Sequence, residues 1–349
     1  MYEDRVPLTG PKLAMLSLMR HSPDLKVIAF LPNAPEEFIN WSSRLSNVEI
    51  RRSRDSITGM GWNVKPSVIL RAFDEGHDEV IWMDNDIIVC GDLDARLQSI
   101  DSENIVAAEE YFWGHRQGDP ERTTGLGLTP GRTFQVTINS GLLRFSKMHR
   151  PVLEHWAAIL DSKEYKAAQY LSAAERPIYH WADQETLTGL LGSDLYTDVN
   201  VVRLKRGIDI AQCFGASGFT VKERLRAGKD LPLLVHAIGI KPWAERPLTS
   251  QKSPFRKAIN YLQSAHLELT PYVAAAQDYQ ESLEEDVSWM SPSSLLGRAM
   301  CRVFPSQPAL RELPLAAIDT TQRWVRQTLG IGRVGAKAAP GPQPRTPVG

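Results

Sequence analysis

The stretch VIWMDNDIIV, Val80 to Val89, runs four mostly apolar residues into Asp84-Asn85-Asp86 and then turns apolar again. Residues i and i+2 of a strand project to the same side. If the strand ends here, the carboxylates of Asp84 and Asp86 reach one point beyond its C-terminal edge, where open α/β sheets bind ligands. A buried charge is costly unless it is paired or bound to a metal. Two hard oxygen donors suit Mg2+ or Mn2+, ions that complete their shells with phosphate oxygens and water. A plain turn, with Asp84 as a cap and Asp86 solvated, is written with the same letters. Asn85 points to the other face and reads as structural.

Outward from this point, short β-branched runs alternate with helical patterns as far as Trp243, the signature of βαβ units. A helix over Pro11–Asp24 precedes a strand at Leu25–Leu31, and VEIRR forms a shorter one. KPSVILRAFDEG, Lys65–Gly76, reads as a helix with Val68, Ile69, Ala72 and Phe73 on one face and Gly76 as its stop. EVIWMD, IVAAEE and VTINSGLLRF follow as strands, then helices over Pro151–Ser162 and Asp183–Gly192, and last the strands NVVRL and LPLLVHAIG. A nucleotide-binding sheet normally opens with a strand, whereas this order opens with a helix. The expectation is that a first strand lies upstream of Met1.

Past Lys241-Pro242-Trp243 the pattern becomes helical and proline-broken. Within Pro314–Gly332, Leu315, Ile318, Val325 and Leu329 fall near one stripe, with Arg323 and Arg326 off it. This stripe suits docking on the neighbouring domain. The arginines around Trp324 also permit peripheral membrane contact near a lipid-linked acceptor. The expected organisation is a catalytic domain over residues 1–250, a helical region over 251–332, and a disordered Gly/Ala/Pro-rich tail over 333–349.

Forty basic residues against forty-one acidic ones leave a net charge of -1 in 349 residues, so no basic excess is available to hold nucleic acid. Cys90, Cys213 and Cys301 are scattered and form no zinc or disulfide pattern, which fits a reducing compartment. No apolar run is long enough to span a bilayer and no signal peptide is visible, so a cytoplasmic location is expected, at most peripheral to the inner face of the membrane.

The ordered set EVIWMDNDIIVCGDL, INSGLLRFS, HWADQETLTGLL and HAIGIKPW resembles the glycosyltransferases of the glycogenin and lipopolysaccharide galactosyltransferase type, glycosyltransferase family 8, from about Tyr2 to Trp243. The resemblance implies an α/β fold of the GT-A type, the nucleotide-diphospho-sugar transferase architecture with a Rossmann-like mixed sheet flanked by helices, here with a mostly helical C-terminal appendage. It implies a hexosyltransferase that moves sugar from a nucleotide-sugar donor, expected to be a UDP-hexose, to a glycan, lipid-linked or other acceptor with retention. Asp84, Asp86 and His236 would then hold Mn2+ or Mg2+. Gly239 and Lys241 would meet the donor diphosphate, although this family usually has two residues between that glycine and lysine and here only Ile240 intervenes.

By the same resemblance Asn139 and Ser140 would contact the donor sugar, a β-bulge at Ser140-Gly141 being the other reading. Asp183 and Gln184 would steady the cation-like sugar, with Asp183 equally placed to be the N-cap of its helix. Lys65, at a helix start with Pro66, would contact donor phosphate and sugar, and Tyr2 would lie against the nucleobase. Two rival readings follow from the same residues. Haloacid-dehalogenase-type phosphatases carry a D-x-D after an apolar strand, but that strand is usually the first of the domain and is followed by Gly-Thr rather than Ile87-Ile88. A non-catalytic scaffold of the same fold would fit the shortened spacing at Lys241 but not the retention of three metal ligands.

Overall fold

The computed structural model describes residues 1–110, 120–134, 136–172, 174–244 and 254–328. The expected tail over 333–349 and Leu329 of the expected stripe lie outside these residues, as do the side chains of Arg323 and Arg326. Nine strands are described: β1 (Val27–Phe30), β2 (Val48–Arg51), β3 (Glu79–Met83), β4 (Ile87–Val89), β5 (Ile105–Glu109), β6 (Ile138–Ser146), β7 (Val201–Leu204), β8 (Ile210–Gln212) and β9 (Leu234–His236). They form three hydrogen-bonded sheets, β1-β2, β3-β6-β5-β7 and β4-β9-β8, flanked by helices. Pairing is mixed: β1-β2, β5-β7 and β8-β9 are parallel, and β3-β6, β5-β6 and β4-β9 are antiparallel. The expected mixed α/β architecture is therefore present.

Helix Lys65–Asp74 starts with Pro in its first turn and buries Val68, Ile69, Ala72 and Phe73, the face its spacing predicts. Gly76 at φ +98° supplies the left-handed turn beyond its end. These residues meet Trp82 and Phe145 of β3 and β6, and helix Arg150–Asp161 adds Val152, Leu153 and Trp156 to the same core. On the opposite face Ala14, Met15 and Leu18 of helix Thr9–His21 pack with Val27, Ile87, Val89 and Leu142. Each such fully buried large side chain contributes about 1.5–3 kcal/mol.

The β1-β2 pair and the β3-β6-β5-β7 sheet are separate. A cavity of about 260 Å3 lies between β1 and β3, lined by Val27, Ile28 and Phe30 on one side and Val80, Ile81 and Trp82 on the other. Met1 and Glu3 run along the end of β1, the Met1 carbonyl accepting from Phe30 N and Glu3 N donating to Phe30 O, both at 3.1 Å.

The later helices, Pro254–Leu269, Pro271–Ala276, Leu295–Val303 and Leu313–Thr328, dock on this framework, Tyr272 and Val273 packing against Ile88 and Val235. A buried ion network adds to the joint. Arg224 Nη2 donates to Glu312 Oε2 at 2.5 Å, and His266 Nδ1 contacts the other Glu312 oxygen. The expected stripe is only half docked. Leu315 is buried with Ala265 and Leu269, whereas Ile318, Trp324 and Val325 are exposed. No helix among the described residues is long and apolar enough to cross a membrane.

Candidate functional site

Asp84-Asn85-Asp86 is the link between β3 and β4, and so between two different sheets. Asp84 N donates to Gly141 O of β6 at 2.7 Å, and Ala237 N, just past β9, donates to Asp86 O at 3.0 Å. These two bonds pin the backbone on either side of Asn85. The segment is a turn, as the plain reading allows, but Asp86 is only 7% exposed and is not solvated. β9 runs antiparallel to β4 with His236 opposite Ile87. Its Nε2 lies 3.1 Å from Asp86 Oδ1 and 4.0 Å from Asp84 Oδ2. One ligand atom from each of Asp84, Asp86 and His236 falls within a common span of 4.8 Å. His236 Nδ1 is buried without a hydrogen-bond partner. Two carboxylates and an imidazole offer the oxygen and borderline nitrogen donors that Mn2+ or Mg2+ accepts, so these residues fit the expected ion.

Gly141 is what lets the histidine approach. A Cβ there would stand 2.5 Å from His236 Cε1 and 2.8 Å from Asn139 Oδ1. The register of β5 on β6 jumps at this place, from Ala107 opposite Leu143 to Ala108 opposite Asn139, so the expected bulge exists. Its residues turn to β3 and the site instead of β5. The two readings of Asn139 and Ser140 are therefore compatible.

Lys65 differs from expectation. Its ammonium is almost fully buried and donates to Ser140 Oγ at 2.7 Å and Ser140 O at 3.1 Å, with Asp183 Oδ2 at 3.2 Å and Asp84 at 3.3 Å. Burial alone penalises this charge, but Asp183 and Asp84 outweigh it and hold the ammonium above its ordinary pKa. The residue neutralises two site carboxylates.

The N-cap reading of Asp183 is corrected. The N-cap of helix Asp183–Leu191 is Ala182, with no side-chain cap, and Asp183 instead accepts from Ser140 Oγ at 2.7 Å. Burial pushes its carboxyl above the usual range, against the opposing pull of Lys65. Gln184, half-buried, takes Asn139 Nδ2 at 3.3 Å and donates to Glu110 Oε2 at 2.9 Å.

Tyr2 belongs to the core beside the site. Its ring is 6% exposed and packs with Phe30, Ile57, Val64 and Val68, with the Arg54 guanidinium 5.6 Å from its centroid. Its phenol donates to Asp4 Oδ2 at 3.2 Å, and burial raises the hydroxyl to about 12. Asn85 fastens this N-terminal segment, donating to Tyr2 O at 3.1 Å and Glu3 Oε2 at 2.9 Å.

Gly239 sits at φ +83°, where a Cβ would meet the Phe214 ring at 2.9 Å. The turn it makes sends Lys241 back to the acidic pair. Lys241 Nζ bonds Asp86 Oδ2 and Ala237 O, the latter at 2.6 Å. Burial pushes Asp86 up, but Lys241 and His236 more than reverse this and keep its carboxylate far below the ordinary range.

Three participants carry no signal in the sequence reading. Trp82 Nε1 donates to Asp84 Oδ1 at 2.7 Å. Glu110, buried, accepts from Asn139 Nδ2 at 2.6 Å as well as from Gln184. Glu185 is fully buried, and burial pushes its carboxyl up to about 8 although Arg122 opposes the shift. An acidic pair closing an apolar strand, as Glu109-Glu110 does, is the one hint that was available for Glu110.

No protein-family model and no curated protein matches the chain. Among solved structures it is similar to the apo form of the bifunctional glycosyltransferase WbbM, at 14% identity and a TM-score of 0.45, over 69% of this chain and 46% of that one. It is similar to the glycosyltransferase GlyE of Streptococcus pneumoniae at 17% identity and a TM-score of 0.41, over 82% of this chain and 64% of that one. The match to the galactosyltransferase LgtC in complex with donor and acceptor sugar analogs has 18% identity and a TM-score of 0.44, over 74% of this chain and 93% of that one. The chain thus spans less than half of the WbbM chain and under two-thirds of the GlyE chain.

Proposed function

We propose that this protein is a metal-dependent glycosyltransferase that moves a hexose from a UDP-sugar to a glycan or lipid-linked acceptor with retention of configuration. The observation that carries the reading is the convergence of Asp84, Asp86 and His236, from strand ends of two sheets, on one point beside Asn139 and Gln184. The ordered motifs that resemble glycosyltransferase family 8 supply the same residues, and the retention and the UDP donor rest on that resemblance.

In the reaction the bond between the anomeric carbon and the diphosphate oxygen breaks and one to an acceptor hydroxyl oxygen forms, the hydroxyl proton departing. When bound, Mn2+ or Mg2+ supplies Lewis-acid neutralisation of the leaving diphosphate. Asp84, Asp86 and His236 would hold it. Gln184 presents an amide group, matched to sugar hydroxyls and held by Glu110 and the buried Asn139, so its orientation is set before substrate arrives. Asp183 acts as a positioning residue through Lys65 and Ser140, while the half-exposed Gln184 is the group that meets the sugar ring. Asp84 is held by Trp82 and Lys65, an arrangement suited to a fixed ligand and not to the nucleophile a phosphatase of the haloacid-dehalogenase type needs.

The test is UDP release from UDP-Glc, UDP-Gal and UDP-GlcNAc with and without Mn2+, alongside thermal shift with UDP and Mn2+ singly and together. Metal-dependent release that disappears in Asp84→Ala and Asp86→Ala is expected. Failure of all donors, with no joint stabilisation by UDP and Mn2+, would leave the scaffold reading in its place.

A further inference from the structure

We infer that Lys241 is a displaceable internal cation: its ammonium neutralises Asp86 until a divalent ion enters, and then moves to the donor diphosphate. The inference rests on the metal-dependent reading above and adds to it a second state of Lys241.

Both oxygens of the Asp86 carboxylate are engaged by the protein itself. His236 Nε2 lies 3.1 Å from Oδ1, and Lys241 Nζ bonds Oδ2. A carboxylate 7% exposed needs a countercharge, and this ammonium provides it. A divalent ion shared by Asp84, Asp86 and His236 needs an Asp86 oxygen, and two cations on one carboxylate repel each other. That repulsion loosens the hold on whichever cation is less firmly fixed.

The structure says which lysine that is. Lys65, on Asp84, has a 3% exposed side chain and is fixed by Ser140 and Asp183, whereas the side chain of Lys241 is 32% exposed. Among the described residues its only other partner is Ala237 O, four residues earlier in its own loop. That loop is closed by Ile238 N to His236 O at 3.1 Å and by the positive φ of Gly239. With only Ile240 between Gly239 and Lys241, the turn is short enough to fold the ammonium onto Asp86. A flexible four-carbon stem then lets the displaced charge turn outward.

Two measurements test this on the whole protein. The first is acetylation of Lys241 by an amine-reactive ester, read by mass spectrometry, in metal-free protein, with Mn2+, and with Mn2+ plus UDP. Labelling is expected to be low, then high, then low again. The second is calorimetric titration of Lys241→Met. Mn2+ binding without nucleotide should tighten by about tenfold or more, since a charge-assisted contact no longer has to be broken. UDP binding at saturating Mn2+ should weaken by about tenfold.

If the wild type binds Mn2+ but Lys241 labelling does not change, the inference is overturned. The same holds if Lys241→Met leaves the Mn2+ affinity where it was. Mn2+ binding seen only in Lys241→Met would be its strongest support. Absence of Mn2+ binding in both proteins would instead refute the metal site itself.

Discussion

Gly141 offers the sharpest test of the site geometry, because one added methyl group there reaches two functional side chains at once. The backbone of β6 at this position is not in the left-handed region, so alanine is conformationally acceptable. On that ground alone Gly→Ala would stabilise by about 0.4–1 kcal/mol through the unfolded chain. The new Cβ, however, would stand 2.5 Å from His236 Cε1, 2.8 Å from Asn139 Oδ1 and 3.0 Å from His236 Nδ1, where ordinary contact begins at 3.4 Å. The imidazole must retreat by nearly the difference, or the strand must bend. Overpacking of this kind costs about 1–3 kcal/mol, more than the entropic gain. Metal sites tolerate distance errors of only about 0.2 Å. Gly141→Ala should therefore lose about 10- to 100-fold in Mn2+ affinity, the range seen when the support of a ligating histidine is disturbed. Calorimetric titration with Mn2+ measures the affinity, and urea unfolding without metal measures the stability. A folded Gly141→Ala protein that binds Mn2+ as tightly as the wild type would refute the placement of His236 against β6.

Three further outcomes are expected. Lys65→Met leaves Asp84 and Asp183 facing each other without their buried countercharge, and should cost about 3–5 kcal/mol in urea unfolding; a variant as stable as the wild type would show that the ammonium does not neutralise them. The Glu185 carboxyl is raised by burial from 4.5 to about 8, so the folded state holds a proton that the unfolded state releases. Its stabilising contribution is full below pH 4.5 and is lost as pH rises toward 8, with a slope of about 1.4 kcal/mol per pH unit between those values. Glu185→Gln should flatten this part of the stability-pH profile, and parallel profiles would contradict the assignment. Arg224→Met removes one of the two partners, with His266, that face Glu312, buried at the joint with the C-terminal helices, and should destabilise by about 3 kcal/mol; an unchanged unfolding midpoint would mean the pair adds nothing to that joint.

Legibility in the sequence followed the range of the interactions. Strands and helices with a clear period, such as β3, β6 and helix Lys65–Asp74, are readable because each buries a face set by its own residues. β4 and β8, three residues each and wholly buried, have no period to read. The metal-type triad was accessible because Asp84 and Asp86 form a local pattern and HAIGIKPW a distant one. What escaped was decided by burial from elsewhere in the chain. Lys65 looks like a solvent-facing charge at a helix start until Ser140 and Asp183 close over it. Tyr2 reads as an open aromatic until Phe30, Val68 and Arg54 surround it. Glu110 gains its meaning from Asn139 and Gln184, neither of them near it in sequence.

The position of Asp84-Asn85-Asp86 between two sheets has a mechanical consequence. Asp84 is anchored to β6 through Gly141, whereas Asp86 and His236 belong with β4 and β9. Among the described residues no backbone ladder joins these sheets. An ion held by all three side chains acts as a rivet across a seam that the main chain crosses with three residues. Any breathing of that seam spreads the ligands, and any bound ion resists the breathing. Metal occupancy and the stiffness of the joint between the sheets are then one property, measured from two sides.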